Sequence, residues 1–158
     1  MNPSLSPDPM HWHDGLLLGY TPMDAVHEEF VQCIAAIQRG TDAELAGLMA
    51  ALERHAVQHF EEENHWMVST EFPARDCHID EHAAVLKSVR DVRALAEAGD
   101  LSECRRLAQA LADWFPGHAD YLDSALAAWM CKRTHGGKPV VIRRKLDLRS
   151  TETGQVGE

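Results

Sequence analysis

Five of the ten histidines in this chain fall into a pattern with two acidic residues: His27, His59 with Glu63, His78 with His82, and His118 with Asp123. Imidazole nitrogens and carboxylate oxygens together are donors for transition metals, iron among them. On an α-helix four residues turn about 400°, so positions i and i+4 lie nearly on one face. His59–Glu63 and His78–His82 are both such pairs. Each can aim two donors at one point inside a helical bundle, where metal sites of that architecture are built. His118 and Asp123 are five apart, off-face by about 140° on a regular helix. They act together only if the helix is locally over-wide, as at a π-bulge. Pro116 and Gly117 stand where such a bulge is permitted, since proline has no amide to donate.

The elements that must carry these residues follow from apolar periodicity. A first helix begins near Pro22, with Thr21 expected as N-cap and Asp24 suited to the positive end of the helix dipole. Met23, Val26, Phe30, Ile34 and Ile37 form its stripe, and Gly40 ends it. A second starts after Thr41 or Asp42, carries Leu45, Leu48, Met49, Leu52, Ala56 and Phe60, and runs toward Trp66 or Met67. Pro73 marks the next loop. A third runs from near Arg75 or Cys77 to Ala98, with Gly99 as C-cap and Asp100 or Ser102 as the following N-cap. A fourth covers residues 102–132, with a kink or bulge at Pro116–Gly117.

Four amphipathic helices with short connections, and no useful strand pattern before residue 139, predict an all-α, up-down four-helix bundle. Residues 11–135 would form the domain, with His11 to Tyr20 as an N-terminal arm packed on the body. Residues 1–10, rich in Pro and Ser, read as a flexible N-terminus. Residues 136–158 read as a short, flexible, basic C-terminal tail with one β-like run, Val140–Ile142.

A chain of 158 residues suits a single core. Residues 1–131 hold 8 Lys/Arg and 22 Asp/Glu, a net of −14, against 7 and 3 in the remainder, a net of +4. An acidic body speaks against nucleic acid as partner. No apolar run is long enough to span a bilayer. Met1 to Met10 has three prolines and no basic residue, unlike a secretory signal, so the cytoplasm is the expected location. Cys33, Cys77, Cys104 and Cys131 form no CxxC pair and read as free thiols.

The run Asp24-xx-His27, His59-Phe60-xx-Glu63, His78-xxx-His82, His118-xxxx-Asp123 resembles the hemerythrin family, in particular its single-domain bacteriohemerythrin type. Trp12 ahead of Gly19 and Asp24 looks like that family's N-terminal arm, and the resemblance covers about residues 12–133. It implies a di-iron centre: His78, His82 and His118 on one iron, His27 and His59 on the other, Glu63 and Asp123 bridging, and a solvent-derived oxo or hydroxo group completing the bridge. By that count the first iron is full and the second keeps one position open for a small ligand. The implied activity is reversible dioxygen binding, for storage, delivery or sensing, with a redox or oxidase partner in the delivery case. The alternatives are a di-iron enzyme acting on peroxide or nitric oxide, and a protein that only holds metal.

The remaining histidines and acids read differently. His55 makes an HxxxH with His59 but is placed behind a ligand or at the surface. His65 and His135 are expected to face solvent, and His11 and His13 to flank Trp12 in the arm. Glu61 and Glu62 are expected to be solvated.

Overall fold

The computed structural model describes residues 8–135. The expected tail run Val140–Ile142 and the side chain of His135 lie outside the described residues. The elements are a 3-10 turn (Asp14–Leu16), α1 (Thr21–Arg39), α2 (Asp42–Ser69), α3 (Arg75–Glu97), α4 (Cys104–His118), a π-turn (Ala119–Asp123) and α5 (Ser124–His135). The last three form one continuous arm. α1 packs on α2 and α4, and α3 packs on α2 and α4, closing a four-sided, all-α bundle.

Helix ends show how local chemistry sets these lengths. Tyr20, not Thr21, is the N-cap of α1, because Thr21 is already helical with Pro22 beside it. The carboxylate of Asp24 is used elsewhere. It accepts from the backbone N–H of Leu18 (2.8 Å) and Gly19 (3.0 Å) and so pins the N-terminal arm. Gly19 itself sits at φ 88°. Further back, the Met10 N–H donates to Gln38 at 2.6 Å, and Met10 and Trp12 pack against the core. At the start of α2 the Glu44 carboxylate accepts from the Thr41 N–H and hydroxyl, as in a capping box.

α2 outruns its expected end by two residues and stops in a Schellman turn. The Phe72 N–H reaches Met67 O (2.8 Å) and the Glu71 N–H reaches Val68 O (3.2 Å). Glu71 takes the left-handed position (φ 55°) that glycine usually fills. α3 closes in the same way with a glycine: Gly99 has φ 94°, and the Asp100 N–H reaches Leu95 O at 2.9 Å. α4 begins with Glu103 as N-cap, one residue beyond expectation, because Asp100 spends its side chain on a turn with Ser102.

Two apolar clusters fill the bundle. One contains Phe30, Ile34, Ile37, Leu45, Met49, Leu52, Leu111 and Phe115. The other contains Tyr20, Met23, Met67, Phe72, Leu126 and Met130. All seven sequence-predicted donors are buried along with them, at 5% exposure or less. Taking seven polar side chains out of water is costly unless something compensates them.

Candidate metal centre

Each helix of the bundle delivers its donors as the sequence spacing requires. α1 supplies His27, α2 supplies His59 and Glu63 one turn apart, and α3 supplies His78 and His82 one turn apart. α4 ends on His118, and the π-turn ends on Asp123. That wide turn, with the Ser124 N–H bonded back to Ala119 O, brings the five-residue pair onto one face. The seven residues converge in two groups whose ligand atoms lie within 4.8 Å of one another: Glu63, His78, His82, His118 and Asp123, and His27, His59 and Glu63.

The carboxylates stand between the imidazoles. Glu63 Oε2 lies 2.8 Å from His59 Nε2 and 3.2 Å from His27 Nε2, while its Oε1 lies 3.2 Å from His82 Nε2. Asp123 Oδ1 lies 3.0 Å from His78 Nε2 and 3.3 Å from His118 Nε2, and its Oδ2 lies 3.2 Å from His27 Nε2. Donors about 2.1 Å from a shared cation in an octahedron lie about 3.0 Å from each other, so these separations suit a cation between them.

The hydrogen bonding gives a sharper test. His118 Nδ1 lies 2.9 Å from Glu81 Oε1, and a carboxylate can only accept, so Nδ1 carries the proton. A neutral His118 then turns a bare Nε2 lone pair toward Asp123. His82 Nδ1, 2.8 Å from Asn64 Oδ1, leaves its Nε2 lone pair facing Glu63 in the same way. Lone pairs facing lone pairs in a dry core repel unless a proton or a metal cation sits between them. Glu63 Oε1, both Asp123 oxygens and His82 Nε2 are buried without a hydrogen-bond partner. The donor set fits a metal centre.

Without a cation, protons take its place. Burial works against a charge on His27, but the Asp123 and Glu63 carboxylates outweigh it and raise its pKa to about 10. His78 rises to about 9 by the same balance. His82 goes the other way: burial lowers it, and the charges of His78 and His118 offset the help of Glu63. Burial alone would raise both carboxyls, yet the surrounding imidazoles hold Glu63 and Asp123 well below the usual carboxylate range.

Residues 18–130 match the family described as Hemerythrin HHE cation binding domain. A bacteriohemerythrin from Ralstonia nicotianae is 36% identical over 124 residues, covering 78% of this chain and 90% of that protein. The chain belongs to the hemerythrin family. No solved structure gives a significant match.

For this hemerythrin domain the structure adds residues that sequence reading did not single out. Glu81 accepts from both His118 Nδ1 and Trp114 Nε1 (2.7 Å), and Asn64 holds His82. Glu81 directly precedes a donor histidine and so points to another face of α3. No one-helix pattern reveals it, because its partners come from α4. His55 lies behind a donor, one of the two places expected for it. It stacks on Phe30 (5.7 Å between centroids, 20° between planes) and meets the His59 ring edge-on at 5.4 Å. Burial, then the neighbouring His59 and His27, push its pKa down to about 4. His65 and Glu61 are exposed as expected, His11 and His13 on either side of Trp12 are exposed rather than packed in the arm, and Glu62 is half-buried. The rings of Phe30, Phe60 and Phe115 pack directly on His59, His82 and His27.

Proposed function

We propose that this chain binds dioxygen reversibly at a non-haem di-iron centre and serves in oxygen storage, delivery or sensing. His78, His82 and His118 would hold one iron, His27 and His59 the other, and Glu63 and Asp123 would bridge the two. The observation that carries this is the division of the donors: three imidazoles on one side, two on the other, and carboxylates facing both. The two-histidine side is short of one protein donor, which leaves room for a small exogenous ligand.

A pair of irons held there would supply the electrons that reversible dioxygen binding exchanges. The chain's own residues do the rest. Five neutral imidazoles and two carboxylates make a ligand set of modest negative charge, less than that of carboxylate-rich di-iron sites. Glu81 and Asn64 fix the tautomers of His118 and His82. Phe30, Phe60 and Phe115 exclude water, which limits loss of the bound ligand and irreversible oxidation. Among the described residues no helix is long and apolar enough to cross a membrane.

The test is metal analysis with a visible spectrum of the reduced protein before and after air. Two irons per chain and a visible band that appears in air and fades when oxygen is removed are the expected result. Steady consumption of peroxide or nitric oxide by the purified protein would replace the binding role with an enzymatic one. Zinc, or no stoichiometric metal, would refute the oxygen-binding reading.

A further inference from the structure

The seven donors are almost sealed from solvent, so a cation needs a way in. A cleft of about 60 Å³ between α1 and α2 is lined by Val26, Glu29, His55, Gln58, His59 and Glu62. Its floor is a member of the cluster. His59 faces Glu63 through Nε2 at 2.8 Å, its side chain is 2% exposed, and its Nδ1 has no hydrogen-bond partner. One turn earlier on the same face of α2, His55 forms the wall. Its side chain is 13% exposed, its Nδ1 is 3.8 Å from Glu29 Oε2, and its Nε2 is buried without a hydrogen-bond partner. Glu29, 68% exposed, and the half-buried Glu62 bring carboxylates to the cleft.

From solvent inward, the cleft therefore offers carboxylate, imidazole, and then an imidazole of the centre itself. Only Val26 in the lining is apolar. A neutral diatomic gas gains nothing from two carboxylates, whereas a hydrated divalent cation is drawn to them. It can then exchange water for the softer imidazole nitrogen. A cleft lined by one sign of charge also raises the local concentration of the opposite ion.

We propose that this cleft is a loading port for a divalent cation. Glu29 and Glu62 capture the ion, and His55 passes it to His59 and the two-histidine half. This rests on reading the cluster as a metal centre.

Metal-free protein mixed rapidly with cobalt(II) alone, with uptake followed by cobalt absorption, tests the port. In E29Q/E62Q, uptake should slow about tenfold, the scale of electrostatic focusing, with an unchanged final metal-to-chain ratio. The wild-type rate should fall more steeply with ionic strength than the variant's. His55→Gln should slow loading further. The control is E28Q/E61Q, which removes the same charge from the same two helices at exposed positions outside the cleft, and it should load at close to the wild-type rate. Wild-type protein that fills normally while E29Q/E62Q fills equally fast, or a control slowed as much, overturns the port alone. Wild-type protein that takes up no metal overturns the centre and the port together.

Discussion

In the half of the cluster built from His78, His82 and His118, two of three imidazoles are gripped from behind. His82 Nδ1 is 2.8 Å from Asn64, and His118 Nδ1 is 2.9 Å from Glu81, which also takes the Trp114 indole N–H. In the half built from His27 and His59, both Nδ1 atoms are buried without partners. Those rings are held by packing: His27 edge-on to Phe115 at 5.0 Å, His59 edge-on to Phe30 at 5.3 Å. A ligand held by a hydrogen bond has its tautomer and basicity set, while one held by packing is free to adjust. The tight half suits a metal that stays closed, and the looser, donor-poor half suits one that takes and releases a small ligand.

Removing what the halves share should erase the difference between them. Asp123 contacts His27, His78 and His118, and Glu63 contacts His27, His59, His78 and His82. Asp123→Ala and Glu63→Ala should each lose both metals, measured as iron per chain. Either variant retaining two irons and an oxygen-dependent band would show that the carboxylate is not a bridge. His59→Ala should do about half that damage, emptying only the looser half and leaving about one metal per chain. If it emptied both halves, the tight half would depend on its neighbour.

Glu81→Ala sharpens the contrast without touching a donor. Loss of such an outer hydrogen bond lowers metal affinity about 10- to 100-fold. The effect should fall on the three-histidine half alone, so titration of metal-free protein should show one weakened class of sites and one unchanged. Equal weakening of both classes would mean that Glu81 acts through the fold and not through His118.

How much of this was legible follows from where each signal lies. The donor pairs at i,i+4 each lie within one helix, and their spacing alone places them. The misfit of His118 and Asp123 to a regular helix made an over-wide turn legible but not its place, which is Ala119–Asp123 and not Pro116–Gly117. Asn64 and Glu81 were not legible, since each is defined by a partner on another helix and neither makes a pattern on its own. The end of α2 was missed because Glu71 fills a left-handed position that sequence reading reserves for glycine. The N-cap of α1 was misplaced because Thr21 has the right chemistry but lies one residue inside the helix.

Metal-free protein should lose stability at high pH where loaded protein does not. His27 and His78 are raised from 6.5 to about 10 and about 9, so their stabilisation is complete below pH 6.5 and is lost as pH climbs through those values. His55 and His82 are lowered, so theirs is complete above pH 6.5 and is lost as pH falls. Glu63 and Asp123, held low, lose theirs further down. Metal-free protein should therefore melt highest near pH 6.5. A cation competes with those same protons, so loaded protein should gain affinity as pH rises toward 9. The gap between the two melting temperatures should widen from pH 6.5 to 9. A flat metal-free profile over that range would mean that carboxylate–imidazolium contacts do not hold the empty cluster.

The smallest effect is expected at Pro116, although it stands just ahead of the wide turn. Its missing amide cannot serve Ala112 O, but the wide turn begins only at Ala119, three residues later. What the π-turn achieves is burial. His118, Ala119 and Asp123 face the core, while Asp120 and Tyr121 face solvent. Returning this stretch to regular α geometry would swing Asp123 by about 100° away from the imidazoles. The contacts of Asp123, rather than the proline, therefore hold the register. In Pro116→Ala a regained backbone hydrogen bond, about 1 kcal/mol, offsets the lost rigidity, so stability should change by no more than about that amount. Iron content and the oxygen-dependent band should stay as in the wild type. If the variant lost iron as Asp123→Ala is expected to, the proline would be setting the register of the donor pair, and the tight half would owe its geometry to the backbone before its side chains.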